Sequence, residues 1–460
     1  MKAITFFSLL SAALIISSCS KDDSKDDNTE VPIPKVKTVF PSNGSSNIAK
    51  DSKVYVLYDT NIKQYYSTKN VTVNGKNANV KISGDTLFIE VSIAANSEYV
   101  IVVPDGMIYN SEAASDNKIF AEGLTFSFTS FVKEAVVGKI SETAINSSNE
   151  NVQKVYKFLY DNYGKKIISG SMANVSVQQD EALLVKTATG KTPVMQTIDY
   201  IHLQYSWGKE QYKDISSFKT HWQNGGLIAA SWHMMCPATE SDIITENWQY
   251  EDFDAKAALT SGTWQKDFFD KMLSDCAERL KLFKNENIVV IWRPLHEAAG
   301  NNGNYNQYGW FWWGKSGAET YKSLWKYMFD YFKSQGLDNL IWVWNSQYSA
   351  QTPVDNDWYP GDEYVDIIAT DIYERSTKDC VEVFNLLTEN WPNKMITLSE
   401  NGSISNISDI FNAGGTFSYF MPWYTHNLTN LNNSKHANTS WWQDAANCDK
   451  VLFLEDMKGW

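Results

Sequence analysis

The chain is poor in cysteine, in positive charge and in long apolar runs, and each shortage removes a class of function. Of its five cysteines, Cys236, Cys276, Cys380 and Cys448 are scattered with no CxxC spacing, which argues against a zinc site. A disulfide stays open in an oxidising compartment, with buried free thiols as the plain alternative. Forty Lys and Arg stand against 54 Asp and Glu, a formal charge of −14. That balance disfavours nucleic acid, whose phosphates need basic neutralisation, and is compatible with a neutral polymer. No run is long enough to span a bilayer stably; Ile4–Ile16 has only the length of a signal core. No GxGxxG follows the first strand-like run, so a dinucleotide fold lacks its mark. No spaced acidic loop demands Ca²⁺, and no metal or other cofactor is expected.

Aromatic residues, by contrast, are abundant. Eighteen Trp, 24 Tyr and 22 Phe are an unusual load; flat ring faces suit stacking on sugars, although large cores also use them, and core use is the plainer reading for any single one. The N-terminus reads as an address. Met1-Lys2 is positive, Ile4–Ile16 is apolar or small, and Ile16-Ser17-Ser18-Cys19 places small residues before a cysteine. This resembles a lipoprotein signal, with Cys19 as the lipidated residue. The following Ser20-Lys21-Asp22-Asp23 stretch is a charged tether. It resembles the surface-export signal of Bacteroidetes lipoproteins, which implies a lipid anchor in the outer membrane, facing outward.

Two domains follow, giving residues 1–18 as signal, 19–34 as tether, 35–130 as an all-β module and 133–460 as an α/β domain. The β module shows short runs rich in β-branched and aromatic residues: Val54–Tyr58, Val71–Val73, Thr86–Val91, Tyr99–Val103 and Leu124–Phe128. Turn signals such as Asn74-Gly75 separate them. Phe40-Pro41-Ser42-Asn43-Gly44, Val73-Asn74-Gly75 and Phe126-Ser127-Phe128-Thr129 resemble bacterial Ig-like domains, which implies a β-sandwich. The module carries no polar cluster suited to chemistry, so a spacer is its default role and glycan binding the alternative.

After Phe131, eight buried strand-like runs alternate with amphipathic stretches such as Thr263–Lys284 and Glu319–Ser334. The runs are 166–170, 193–199, 226–233, 288–292, 340–345, 365–373, 395–400 and 416–421. Eight such units fit a (β/α)8 barrel, whose chemistry sits at the C-terminal strand ends. Those ends carry Asp199, His233, Glu297, Asn345, Asp371 with Tyr373, Glu400 and Trp423; every strand but the first ends in a group able to meet a ligand. Arg293, His296 and Glu297 close the apolar run through Trp292, and such groups are costly to bury without a role. Two carboxyls across a sugar ring can cleave a glycosidic bond, one as acid and one as base or nucleophile. A separation of roughly 5–5.5 Å gives retention and roughly 6.5–9.5 Å gives inversion.

Residues 133–460 resemble glycoside hydrolase family 26, dominated by endo-β-1,4-mannanases. The resemblance rests on Trp292-Arg293-Pro294-Leu295-His296-Glu297, Trp310-Phe311-Trp312-Trp313-Gly314, Ser231-Trp232-His233, Tyr359-Pro360-Gly361-Asp362, Asp371-Ile372-Tyr373 and Leu398-Ser399-Glu400-Asn401-Gly402. It implies retaining hydrolysis of mannan, glucomannan or galactomannan, with Glu297 as acid/base and Glu400 as nucleophile. Substrate contacts are expected from Trp232, His233, Arg293, His296, Trp310, Tyr373, Trp423, Asp199 and Asn345. Tyr373 would donate to Glu400 and keep it ionised, and that charge would help keep Glu297 protonated. Implied partners are β-mannan chains, the outer-membrane lipid anchor and other polysaccharide-utilisation surface proteins. Two departures stand out. The stretch Ala298–Gly309 is longer than the short turn typical of the family, and strand one ends in Ser169-Gly170-Ser171-Met172 where relatives carry Gln or His after the Gly. Hydrolysis of β-1,3-xylan or mixed-linkage β-glucan, and glycan capture without cleavage, remain as alternatives.

Overall fold

The computed structural model describes residues 31–457 apart from 66–68, 94–96, 115, 132–139, 175–179, 301–308, 348–354 and 427. The signal core and Cys19 lie outside the described residues, as does most of the long stretch after Glu297. Two compact units emerge. One is built mainly of Ser52–Ser92 and Tyr99–Phe128, and the other mainly of Thr129–Trp460, to which Ser46–Asp51 and Ile93–Glu98 are also assigned.

The larger unit is an eight-stranded parallel barrel. Its strands, numbered here around the ring, are β1 (Ile167–Met172), β2 (Met195–Asp199), β3 (Leu227–Trp232), β4 (Val290–Pro294), β5 (Leu340–Ser346), β6 (Ile367–Tyr373), β7 (Met395–Gly402) and β8 (Tyr419–Pro422). β1 closes the ring by pairing with β2 through Gly170↔Met195 and with β8 through Ile168↔Tyr419. Both faces of a barrel strand are covered, one by the packed interior and one by helices. Continuous apolar runs therefore suit these positions better than alternation, and β1 to β5 are buried at every residue. All eight runs expected from sequence are strands. Their limits move by up to three residues, and β4 sits two residues later than its apolar run.

The helix Trp264–Asn285 shows how the outer layer is attached. The Thr263 side chain accepts from Lys266 N as N-cap, and Phe269, Met272, Leu273, Cys276, Leu280 and Phe283 form its buried stripe. Each buried Phe or Leu side chain contributes roughly 1.5–3 kcal/mol. The helix Ala318–Ser334 buries Tyr321, Leu324, Trp325, Met328 and Phe332 in the same way. Cys236, Cys276, Cys380 and Cys448 are all free thiols, the first three buried. Among the described residues no helix is long and apolar enough to cross a membrane.

Residues 31–130, most of them in the smaller unit, are β-rich. One sheet has the order Val36–Phe40, Val54–Tyr58, Thr86–Ile89, Val80–Ser83; a second has Ser45–Ile48, Leu124–Ser130, Glu98–Val103, Thr72–Val73, Lys76–Asn77. Val54, Val56 and Tyr58 point into its core while Tyr55 and Leu57 are half-buried, the period of two expected of a strand with one covered face. Asn74 and Gly75 take φ of 49° and 76° between the paired Val73 and Lys76. Those are the positive angles that a two-residue hairpin turn requires.

Candidate active site

The site is built at the C-terminal rim of the barrel from four strands whose ends bring charged groups together. Arg293, near the end of β4, is its hub. Its Nη1 donates to Asp371 Oδ2 at 3.0 Å, and its Nη2 donates to Glu400 Oε1. All three side chains are nearly inaccessible to solvent. Ser399 Oγ holds the other oxygen of Asp371 at 2.7 Å. Tyr373 completes the setting of Glu400, its hydroxyl donating to Oε2 at 2.9 Å. The Tyr373 ring lies against the bare backbone of Gly402, where an added Cβ would stand 2.7 Å from it.

Glu297 stands three residues beyond β4, on a backbone that turns sharply. Leu295 and Glu297 both adopt positive φ, 46° and 53°, an uncommon conformation for such side chains and one that clusters at functional sites. The turn is held from outside. Asn345 Oδ1 accepts the Glu297 backbone N–H at 2.8 Å, and Trp313 Nε1 donates to His296 O at 2.8 Å. Trp310 Nε1 donates to Glu297 Oε2 at 3.1 Å. Only glycine fits beneath that indole, since a Cβ on Gly300 would lie 2.3 Å from it.

One oxygen each of Glu297, Asp371 and Glu400 lie within 4.8 Å of one another, so the two glutamates face each other. Their surroundings differ. Burial, then the charges of Asp371 and Glu400, push the Glu297 carboxyl well above the usual range. Burial also raises Glu400, but there Arg293, His233 and the Tyr373 hydroxyl oppose it. The expected donation from Tyr373 to Glu400 is present and favours the carboxylate, while desolvation acts against it. The surroundings favour the proton on Glu297, which accepts from one indole and feels Arg293 only from a distance, whereas Glu400 is bonded to that guanidinium.

His233 forms the opposite wall. Asp199 Oδ1 accepts its backbone N–H at 3.0 Å and Oδ2 meets its Nδ1. Burial disfavours the imidazolium, but Asp199 overcomes this and raises His233 above its ordinary value. His296, with no exposed surface, is held neutral by burial and by Arg293 and His233. Its Nε2 is 2.9 Å from that of His233, so a single hydrogen lies between the two rings. Trp423 meets His233 edge-on at 5.3 Å and Phe311 does so at 5.5 Å, giving the wall its apolar flanks. Two triplets, His233 with His296 and Glu400, and Glu297 with Asp371 and Glu400, have donor atoms close enough for a metal ion. The Arg293 guanidinium already supplies the positive charge between Asp371 and Glu400.

Of the residues expected to meet substrate, Trp232 bonds to none of the site's groups among the contacts described. It has no exposed surface and its ring packs against Trp292, 6.4 Å away. Side chains alternate along a strand, and the parity that turns His233 inward turns Trp232 toward the helices. Arg293 and Asn345 act beneath the surface, holding Glu400 and the Glu297 backbone. Ser171 bonds Gln196 Oε1 at 3.1 Å, both buried between β1 and β2. Sequence reasoning passed over Phe311 and Ser399, which lie inside quoted motifs. It also passed over Tyr212, whose hydroxyl donates to Asp199 O at 2.7 Å and which no motif marks. A pocket of about 240 Å³ is lined by Glu297, Trp310, Gln347, Asp371, Tyr373 and Arg375 among others.

Residues 145–447 match the model of glycosyl hydrolase family 26. The chain is 30% identical to a mannan endo-1,4-beta-mannosidase of Thermothelomyces thermophilus, covering 89% of this chain and 82% of that protein. It is 29% identical to mannan endo-1,4-beta-mannosidase B of Piromyces sp, over 80% of this chain but 62% of the relative's length. Among solved structures, the GH26 domain of an endo-beta-mannanase/endo-beta-glucanase from Prevotella bryantii superposes with a TM-score of 0.62 at 33% identity, covering 69% of this chain and all of that one. With this match spanning the barrel and both facing glutamates, the chain belongs to glycosyl hydrolase family 26.

Proposed function

We propose that the barrel is a retaining, endo-acting β-1,4-mannanase acting on mannan, glucomannan or galactomannan. The observation that carries this reading is the approach of the Glu297 and Glu400 carboxyls to within 4.8 Å in unequal surroundings. Retaining enzymes need carboxyls roughly 5–5.5 Å apart, too close to seat the water of an inverting one. Glu400 Oε attacks the anomeric carbon while Glu297 gives its proton to the glycosidic oxygen, and the bond to the leaving sugar breaks. The glycosyl ester then meets water. Glu297, now a carboxylate, takes a proton from that water as its oxygen attacks, and Glu400 departs as the leaving carboxylate. Arg293 and Tyr373 spread the charge that returns to Glu400. Reducing-end release is expected from linear mannan ahead of β-1,3-xylan and mixed-linkage β-glucan, with products several sugars long from the first minutes. Faster release from either of the other polymers would replace the substrate, and mannose as the sole early product would replace the endo assignment.

Residues 35–130 are read as an Ig-like spacer and Cys19 as a lipid attachment site that holds the enzyme on the outer surface of the outer membrane. The spacing of Lys2, the apolar core and Cys19 supports this. Changing Cys19→Ser should move the activity from the membrane fraction to the soluble one; unchanged membrane recovery would contradict the anchor.

A further inference from the structure

The sixth histidine in the chain, His436, stands behind the nucleophile's donor. It lies on the segment that follows β8, and its ring meets that of Tyr373 with centroids 5.7 Å apart and planes at 77°. Edge-to-face pairs of this kind are an arrangement that aromatic side chains favour. Among the described residues it is the one ring that Tyr373 meets. Both rings close on the bare backbone of Gly402, just beyond Glu400 at the end of β7. A Cβ on Gly402 would stand 2.3 Å from His436 Nδ1 and 2.7 Å from the Tyr373 ring, so any side chain there would push the pair aside.

His436 is fixed through its backbone. Ser403 N donates to His436 O at 2.9 Å and Ser403 Oγ donates to Lys435 O at 2.8 Å. Ser434 Oγ accepts from His436 N at 3.3 Å and Ala437 N at 3.2 Å, and Thr425 Oγ1 accepts from Lys435 N at 3.0 Å. The imidazole Nδ1, by contrast, is buried with no hydrogen-bond partner among the described residues. Burial and then the Lys435 charge hold the ring below its ordinary value, so it is uncharged at neutral pH. The side chain therefore acts by its shape. Tyr373 needs such a seat, because its hydroxyl must reach Glu400 Oε2 at 2.9 Å while its ring also lines the pocket shared with Glu297 and Gln347. A ring with a cavity at one side keeps a single rotamer only when packing at the other side holds it.

We propose that His436 is a positioning residue: its ring holds Tyr373 in the rotamer that donates to Glu400, so the segment after β8 aims the nucleophile through a side chain of β6. The inference rests on Glu400 acting as the nucleophile. It predicts that His436 matters only while Tyr373 has a hydroxyl to aim.

The test is kcat and KM on linear mannan, across pH, for wild type, His436→Ala, His436→Phe, Tyr373→Phe and the double variant His436→Ala with Tyr373→Phe. Tyr373→Phe should lower kcat about 100-fold, as loss of one aimed donor does. His436→Ala should lower it about tenfold with KM changed less than about twofold, and His436→Phe, which keeps a ring, should recover most of that. The double variant should be within about twofold of Tyr373→Phe alone, because the two residues act as one unit. In His436→Ala and in Tyr373→Phe the acid limb should move to higher pH, since the lost donor favoured the Glu400 carboxylate. Arg293, Asp371, His233, His296 and Glu297, which also face Glu400, are the same in every variant. His436→Phe should keep the wild-type limb, which separates the aiming of Tyr373 from titration of the imidazole. Should His436→Ala not fold, His436→Asn takes its place in the same comparison. Losses that multiply in the double variant, an unchanged kcat in His436→Ala, or a His436→Phe as slow as His436→Ala each overturn the inference. Failure of the wild type to cleave any β-mannan, or a Glu400→Ala protein near wild-type rate, overturns the retaining mannanase reading, whereas an active wild type with multiplying losses sinks this inference alone.

Discussion

Replacing Glu400 by Ala should lower kcat on mannan by on the order of 10⁴-fold or more, because no other group can form the glycosyl intermediate. The protein should remain folded. Removal of Glu400 leaves Arg293 paired with Asp371 at 3.0 Å, so no buried cation is orphaned. Glu297→Ala should behave differently. An aryl glycoside with a good leaving group needs no proton, so its first turnover should stay fast and the steady state should become limited by water attack. The pH profile adds a further check. Burial and the neighbouring carboxylates raise Glu297 well above its ordinary value, so the acid stays protonated across the mildly acidic range. Activity is then lost as pH rises through that raised value, and this alkaline limb should be absent from Glu297→Ala acting on the activated substrate. A Glu400→Ala protein within about tenfold of wild type would remove Glu400 from the nucleophile's role.

The barrel was legible because parallel strands covered on both faces leave unbroken apolar runs, such as Leu340-Ile341-Trp342-Val343-Trp344, that end in a polar group. The smaller unit was less so. Ser45–Ile48 and Lys76–Asn77 are strands held by pairing rather than by composition, and polar two- to four-residue segments carry no periodicity to read. Within the site, Glu297 and Glu400 announced themselves as acids at strand ends. Which neighbouring side chain turns inward did not, because an apolar run reveals burial but not to which side. That is why Trp232 was expected beside His233 in the cleft and lies among the helices instead. The raised Glu400 had the same origin. A donor such as Tyr373 is visible in sequence, whereas the depth of burial that outweighs it depends on strands hundreds of residues apart.

The largest effect on stability should come from Arg293→Met, which keeps much of the volume and removes the charge. Arg293 bonds Asp371 and Glu400 with all three buried. Taking one partner from a buried ion cluster leaves carboxylates with no cation and costs about 3–5 kcal/mol. The loss should depend on pH in a definite sense. Arg293 is the largest influence holding the Glu400 carboxyl down against burial, so without the guanidinium Glu400 holds its proton more tightly in the folded protein than in the unfolded chain. The native state then binds more protons, and stability falls as pH rises. Denaturant titrations should therefore show the deficit smallest at acid pH, where Glu400 is neutral, and growing above the ordinary carboxylate range. Adding Asp371→Asn should restore part of the stability without restoring activity, because the two changes share one cluster and are not additive. A deficit that stays constant with pH, or that is greatest in acid, would mean that Arg293 stabilises the fold by packing its stem, and that some other group carries the charge balance of the paired glutamates.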